Sequence, residues 1–215
     1  MNKRLRRKLG NKPYRKIFVI STEGSNTEPR YFLWFDNDHI HIKIAKGNCK
    51  RAKKNCPSAV LQRMEDHLRE EKSKKEKSDQ YWLVIDKDQW SDSQIKPLHD
   101  WALGVESRGF ALSNPNFEYW LLLHFEDAKG INSPRKILER LQRYLPEYEK
   151  NLDDLMLKQF EDRFSVAIEN ARQKDVPACE DWPRVYGTTV YRLIEEILNI
   201  NKKNDFLSRR EKKKS

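Results

Sequence analysis

The sequence predicts an α/β fold: a mostly parallel sheet flanked by helices, with a helical extension at the C-terminal end. Two observations carry that prediction. Up to about residue 125, short apolar runs suited to strands alternate with helical patterns in the order β-α-β-α-β-α-β-α, and strands joined through helices pair in parallel. Beyond Asp127 the pattern keeps helical periodicity and strand signals stop.

Lys16 to Thr22 is a short, β-rich apolar run, as in a buried strand. Glu23 and Gly24 end it, and Ser25 to Pro29 supply cap residues and a first-turn proline for a helix through Phe35. His39 to Ile44 alternates strictly, with Ile40, Ile42 and Ile44 on one face, and predicts a half-buried strand. Pro57 to about Lys77 reads as a helix whose charged second half is a solvated face. Tyr81 to Ile85 is the next strand, closed by Asp86-Lys87-Asp88, and Ser93 to Gly104 the next helix. Gly109 to Ser113 is a short strand stopped by Asn114-Pro115. Asn116 to Phe125 is apolar nearly all round, which marks a buried helix. Ser133 to Lys150, Leu152 to Arg172 and Thr188 to Ile200 complete the prediction as helices.

This pattern divides the chain into a basic arm over 1–15, an α/β domain over 16–127, a helical extension over 128–201 and a basic tail over 202–215. Of 215 residues, 37% are hydrophobic and 35% charged, but 6 Trp, 8 Tyr and 9 Phe are too many aromatics for a disordered chain. The net charge of +10 is unevenly spread. Residues 1–16 carry eight basic side chains and no acidic one, and residues 202–215 carry +5, so residues 17–201 sum to −3. Basic ends on an acidic body suit attraction to a phosphate backbone more than a merely solvated terminus. No apolar run approaches the roughly 20 residues that span a bilayer, and no signal-type stretch follows the basic start. Cys49, Cys56 and Cys179 are odd in number and lack CxxC spacing, which argues against a disulfide framework or a zinc knuckle. The chain reads as soluble and cytoplasmic. Neither common Gly-rich phosphate loop is present, which excludes nucleotide binding through one.

In a parallel sheet, ligands gather outside the carboxyl ends of the strands. Glu23 directly follows the first strand, and Asp86 and Asp88 the third. If those strands are neighbours, three carboxylates meet on one rim; residues i and i+2 of an extended segment also project to the same side. Carboxylates that close repel unless a cation lies between them, and hard oxygen ligands favour Mg2+ or Mn2+. Gly24 is expected to let the backbone turn so that Glu23 faces the rim. An Asp-x-Asp after a strand also fits phosphatases, glycosyltransferases and plain capped turns.

Strand-Glu23-Gly24 followed by a helix, then strand-Asp86-x-Asp88, resembles the Toprim domain of topoisomerases, primases and OLD-type nucleases. Glu23 to Phe32, Ile85 to Asp88 and Ser113-Asn-Pro-Asn-Phe-Glu-Tyr-Trp-Leu-Leu-Leu-His-Phe-Glu126 more closely resemble the RloB family of abortive-infection and restriction-linked proteins, often encoded beside an ABC-type ATPase; the Thr188–Tyr191 helix start fits as well. The resemblance implies a metal-dependent nuclease acting on DNA or RNA, tRNA included, in antiphage defence. Glu23 would be a metal ligand or general base, with Asp86 and Asp88 holding Mg2+ (or Mn2+). It implies a partner ATPase and leaves a homo-oligomer open. Many Toprim domains have a glycine shortly after the Asp-x-Asp, where this chain has Gln89-Trp90-Ser91-Asp92. The alternative is a non-catalytic subunit that binds nucleic acid or the ATPase.

Further candidates are Glu28, at a helix start where the dipole favours an acid in any case, and Asn114, which would reach the rim or form the turn. Glu118 is an acid in an apolar helix that needs a cation or donors. Lys50, Arg51, Lys53 and Lys54 form a basic loop able to contact a phosphate backbone or simply to lie on the surface. Lys87 should face away from the aspartates, towards substrate phosphate or the neighbouring strand. His124 reads as a hydrogen-bonded core histidine, and Trp82, Trp101 and Trp120 as core packing.

Overall fold

The computed structural model describes residues 15–46, 56–71 and 79–200. Four parallel strands form the sheet: β1 (Lys16–Thr22), β2 (Ile40–Ile44), β3 (Gln80–Asp86) and β4 (Arg108–Asn114). A two-residue β5 (Gly187–Thr188) adds antiparallel to the end of β4, giving the order β2-β1-β3-β4-β5. Between the strands lie α1 (Thr27–Leu33), α2 (Pro57–Glu70) and α3 (Asp92–Ala102), and after β4 come α4 (Phe117–Leu122), α5 (Pro134–Tyr144), α6 (Asp154–Lys158), a 3-10 turn (Glu161–Arg163) and α7 (Phe164–Lys174). A last helix, α8, covers residues 190–200.

Alternation along the strands sorts the core into two layers. Phe18, Ile20, Ile40, Ile42, Trp82 and Val84 point to one face, against α1, α4 and the C-terminal helices. Val19, Tyr81, Leu83, Ile85, Phe110 and Leu112 point to the other, against Val60 and Met64 of α2 and Ile95 and Leu98 of α3. Near-continuous apolar strands follow from burial on both faces.

The C-terminal part is mixed with the first rather than set beside it. Ile137 and Leu141 of α5, Ala167 and Ala171 of α7, and Ile194 and Ile197 of α8 lie in the same apolar cluster as Phe18 and Trp120. β5 is a strand in a region expected to hold helices alone. Two residues are too few to show alternation, and Ser113 Oγ pairs with Thr188 Oγ1 at 2.9 Å to hold them. The expected helix over 133–150 stops at Tyr144, because the residue before Pro146 avoids the helical region. The expected helix over 152–172 is broken at Gln159–Phe160, where Phe160 turns into the core.

His124 is fully buried. Its Nδ1 lies 3.1 Å from the Trp120 carbonyl and 3.2 Å from that of Leu121, and so carries the proton; Nε2 accepts from the Tyr31 hydroxyl at 3.1 Å. Among the described residues no helix is long and apolar enough to cross a membrane.

Candidate active site

From β1 the chain goes outward to β2 and then returns past β1 to β3. β1 and β3 are therefore adjacent, with Thr22 beside Val84, and connections leave them in opposite directions. The crevice outside such a switch point is where open α/β sheets bind ligands. Here it is a cleft of about 470 Å³ lined by Glu23, Glu28, Asp86, Asp88, Glu118, Asn116, Trp90 and Lys150, among others.

Glu23 is fixed at the end of β1 by its own N–H, which donates to the Val84 carbonyl at 3.1 Å. Its Oε1 accepts the Trp90 indole N–H at 2.9 Å, and its Oε2 lies 3.4 Å from the Asp86 N–H. Gly24 lies in the bend that follows β1, and a second constraint acts on it. A Cβ there would stand 2.2 Å from Glu28 Oε2, and the Gly24 N–H donates to Glu28 Oε1 at 3.1 Å. Glycine is needed because the Glu28 carboxylate lies against its backbone.

Asp86 ends β3, whereas Asp88 has left the extended conformation, with φ at +32°. Strand alternation therefore does not bring the two together. The backbone beyond β3 is tied to that beyond β4: Lys87 N–H donates to the Ser113 carbonyl at 2.8 Å and Asp88 N–H to the Pro115 carbonyl at 2.9 Å. A non-glycine residue at positive φ is strained, and such strain concentrates at functional sites.

Glu118, at the start of α4, is nearly buried, and its Oε1 accepts the Tyr148 hydroxyl at 3.1 Å. Asn114 does not join the cleft lining. Its side chain donates to the Pro183 carbonyl at 3.0 Å, and Asn116, two residues on, takes the place at the rim. The Asn116 Oδ1 is buried with no hydrogen-bond partner among the described residues. Lys87 is held within its own turn, its ammonium bonded to the Trp90 carbonyl and 3.6 Å from Asp92. Lys50, Arg51, Lys53 and Lys54 lie outside the described residues.

Electrostatics single out the cleft. Burial first, then the charges of Glu28, Glu118, Asp88 and Glu23, push the Asp86 carboxyl well above its ordinary range. Burial raises Glu28 against the bonds it accepts from backbone N–H groups, and Glu118 and Glu23 raise it further. Glu23 is raised by burial and by Asp88, with the Trp90 indole opposing. Asp88 is raised by burial and Glu118 and eased by Lys150. Five carboxylates thus face one lysine in the lining.

A family model described as RloB-like protein matches residues 18–197. The chain belongs to the RloB-like family. No curated protein and no solved structure matches it.

The donors in the RloB-like chain's cleft suit a hard cation. All are oxygens, mutual repulsion raises several of them, and the orphaned Asn116 Oδ1 is a further oxygen without a donor. Among the described residues no group of three His, Cys, Asp or Glu side chains is arranged to hold one ion directly. Mg2+ retains several waters and takes one or two carboxylates, and the cleft has room for them.

Sequence reasoning did not find Lys150, Asn116 or Tyr148. Lys150 and Tyr148 come from a charged connection more than 120 residues from Thr27, with no local signal of a site.

Proposed function

We propose that this RloB-like chain is a Toprim-type, Mg2+-dependent nuclease that cleaves phosphodiester bonds of DNA or RNA in antiphage defence, together with a partner ATPase. The observation that carries the reading is the convergence of Glu23, Glu28, Asp86, Asp88 and Glu118 on the cleft at the β1–β3 switch point. Five carboxylates would repel a phosphodiester, so substrate approach requires a cation. A bound divalent ion supplies neutralisation of charge on the attacked phosphate.

The chain's own residues provide the rest. One or two of Glu23, Asp86 and Asp88 would hold the ion directly, and the remaining acids of the cleft, Glu28 and Glu118 among them, would take its waters. Lys150 faces the substrate backbone. Glu23, where it does not hold the ion, is the carboxylate that takes a proton from the attacking water.

The test is titration of Mg2+ and Mn2+ into wild-type and Asp86→Ala protein, with cleavage of plasmid DNA and total tRNA followed in parallel. Loss of metal binding and cleavage together in the variant supports the nuclease. Wild-type protein that binds no metal rejects it. The non-catalytic reading draws on the basic ends of the chain, and predicts nucleic-acid binding that falls steeply with salt and is untouched by Asp86→Ala.

A further inference from the structure

We propose that Trp90 is a positioning residue that sets the Glu23 carboxylate for cation binding. This rests on the metal-site reading above.

Trp90 is fixed before any ligand arrives. Its N–H donates to the Lys87 carbonyl at 2.9 Å, closing the turn that follows β3. Its own carbonyl accepts the Lys87 ammonium. Ser91, immediately after it, begins α3 with a reciprocal pair of bonds to Gln94. The ring, partly buried, packs on the apolar cluster that includes Val60 and Ile95. The indole therefore has little freedom to follow Glu23; Glu23 is fixed to it.

An indole offers one N–H and no acceptor. Placed 2.9 Å from Glu23 Oε1, it can satisfy one lone pair of a carboxylate and nothing else. Among the described residues the other donor to this group is the Asp86 N–H, at 3.4 Å from Oε2. The two constraints differ in strength. The longer contact orients the carboxylate weakly, so the direction of the remaining lone pairs, towards the cleft, is set chiefly by Trp90. Partners that orient a metal-binding side chain characteristically contribute about 10–100-fold to metal affinity. Phenylalanine at this position would keep an aromatic ring and remove the donor.

The experiment is calorimetric titration of Mn2+ into the full chain as wild type, Trp90→Phe and Asp86→Ala, with thermal unfolding followed for each. The expected result is Mn2+ binding by wild type that is about tenfold or more weaker in Trp90→Phe, with the folded spectrum unchanged. Equal affinity in wild type and Trp90→Phe overturns the role of Trp90 and leaves the metal site standing. Absence of Mn2+ binding in wild type overturns the metal site, and this inference with it.

A second measurement keeps the test independent of how the variant folds. In 15N-labelled wild type, Mg2+ is expected to shift the assigned indole N–H resonance of Trp90 more than those of the other five tryptophans. An indole resonance of Trp90 that stays fixed while Mg2+ saturates the protein overturns the proposal.

Discussion

Thr27 donates its hydroxyl to the backbone carbonyl of Lys150 at 2.7 Å, across 123 residues of sequence. The contact does not stand alone. Tyr148 places its hydroxyl 3.4 Å from Thr27 Oγ1 and 3.1 Å from Glu118 Oε1, and Arg30 donates to the Leu152 carbonyl at 3.3 Å. The connection between α5 and α6 is thereby strapped to the start of α1, and Lys150, held at a φ of +57°, lines the acidic cleft. The C-terminal part of the chain completes the site that the parallel sheet begins.

Lys150→Met separates the metal from the substrate. The strap is anchored through the carbonyl of residue 150, so it survives loss of the ammonium. On the nuclease reading, cleavage should fall by about tenfold or more, one charge-assisted contact to phosphate being worth roughly 1.5–3 kcal/mol. Mn2+ affinity should hold or rise, since a positive charge beside Asp88 is gone. Cleavage kinetics and Mn2+ titration on the same preparation check this; undiminished cleavage would remove Lys150 from the substrate path.

Gly24→Ala tests the approach of Glu28 to the backbone. The new Cβ would meet the end of a side chain rather than a backbone atom, so the carboxylate moves and the chain still folds. Displacement breaks the Gly24 N–H bond to Glu28 and shifts one acid in the cleft. The expected outcome is weaker Mn2+ binding with stability altered by about 1 kcal/mol or less, the net worth of a single hydrogen bond. A large drop in melting temperature with metal affinity intact would mean that Gly24 serves the fold alone.

The sheet was legible because its strands are buried on both faces, leaving unbroken apolar runs such as Phe18–Ile20 and Leu83–Ile85. Placing Glu23 and Asp86 at the same rim needed only the carboxyl-end rule and the pairing of β1 with β3, which the structure supplies. Local cues were less informative where a long-range contact decides. Asn114 and Asn116 look alike in sequence, yet Pro183 draws one away from the cleft and leaves the other there. β5 is held from β4, by Ser113 on Thr188 and by the Leu112 N–H on the Thr189 hydroxyl, so no pattern within Gly187–Thr188 announces it. Asp88 reaches the cleft through a turn at positive φ, which strand alternation does not describe.

Asp86→Asn is expected to stabilise the protein in the absence of metal. The folded carboxyl lies well above its ordinary value through burial and four neighbouring acids. A carboxyl raised on folding favours the folded state at low pH, and that contribution is lost as pH rises from the ordinary aspartate value through the raised one. Asparagine removes the cost of ionising it. At pH 7 the variant should melt a few degrees higher, at about 2–4 °C per kcal/mol for a chain of this size, and the gain should vanish towards pH 3. Added Mg2+ should then raise the melting temperature of wild type more than that of the variant. A variant less stable than wild type at neutral pH without metal would show that Asp86 is not held under repulsion.

His124 carries the opposite dependence. Burial holds its imidazole neutral and pushes its pKa down to about 3, against the bonds to the Trp120 and Leu121 carbonyls that would raise it. The unfolded chain takes up this proton near pH 6.5. A pKa lowered on folding gives stability that is present above the unfolded value and is lost as pH falls towards the folded one. Each pH unit below about 6.5 should therefore cost ~1.4 kcal/mol from this group, while the cleft carboxylates act in the other direction over part of the same range. Comparing wild type with His124→Gln isolates the histidine. The variant loses packing against Trp120, Phe160 and Phe164 and should be less stable at pH 8 by about 1–3 kcal/mol. Between pH 7 and pH 4.5 its stability should fall less steeply than that of wild type, so the two curves converge. Denaturant unfolding at half-unit pH steps provides the comparison, and parallel curves would mean that the buried imidazole takes no part in acid destabilisation.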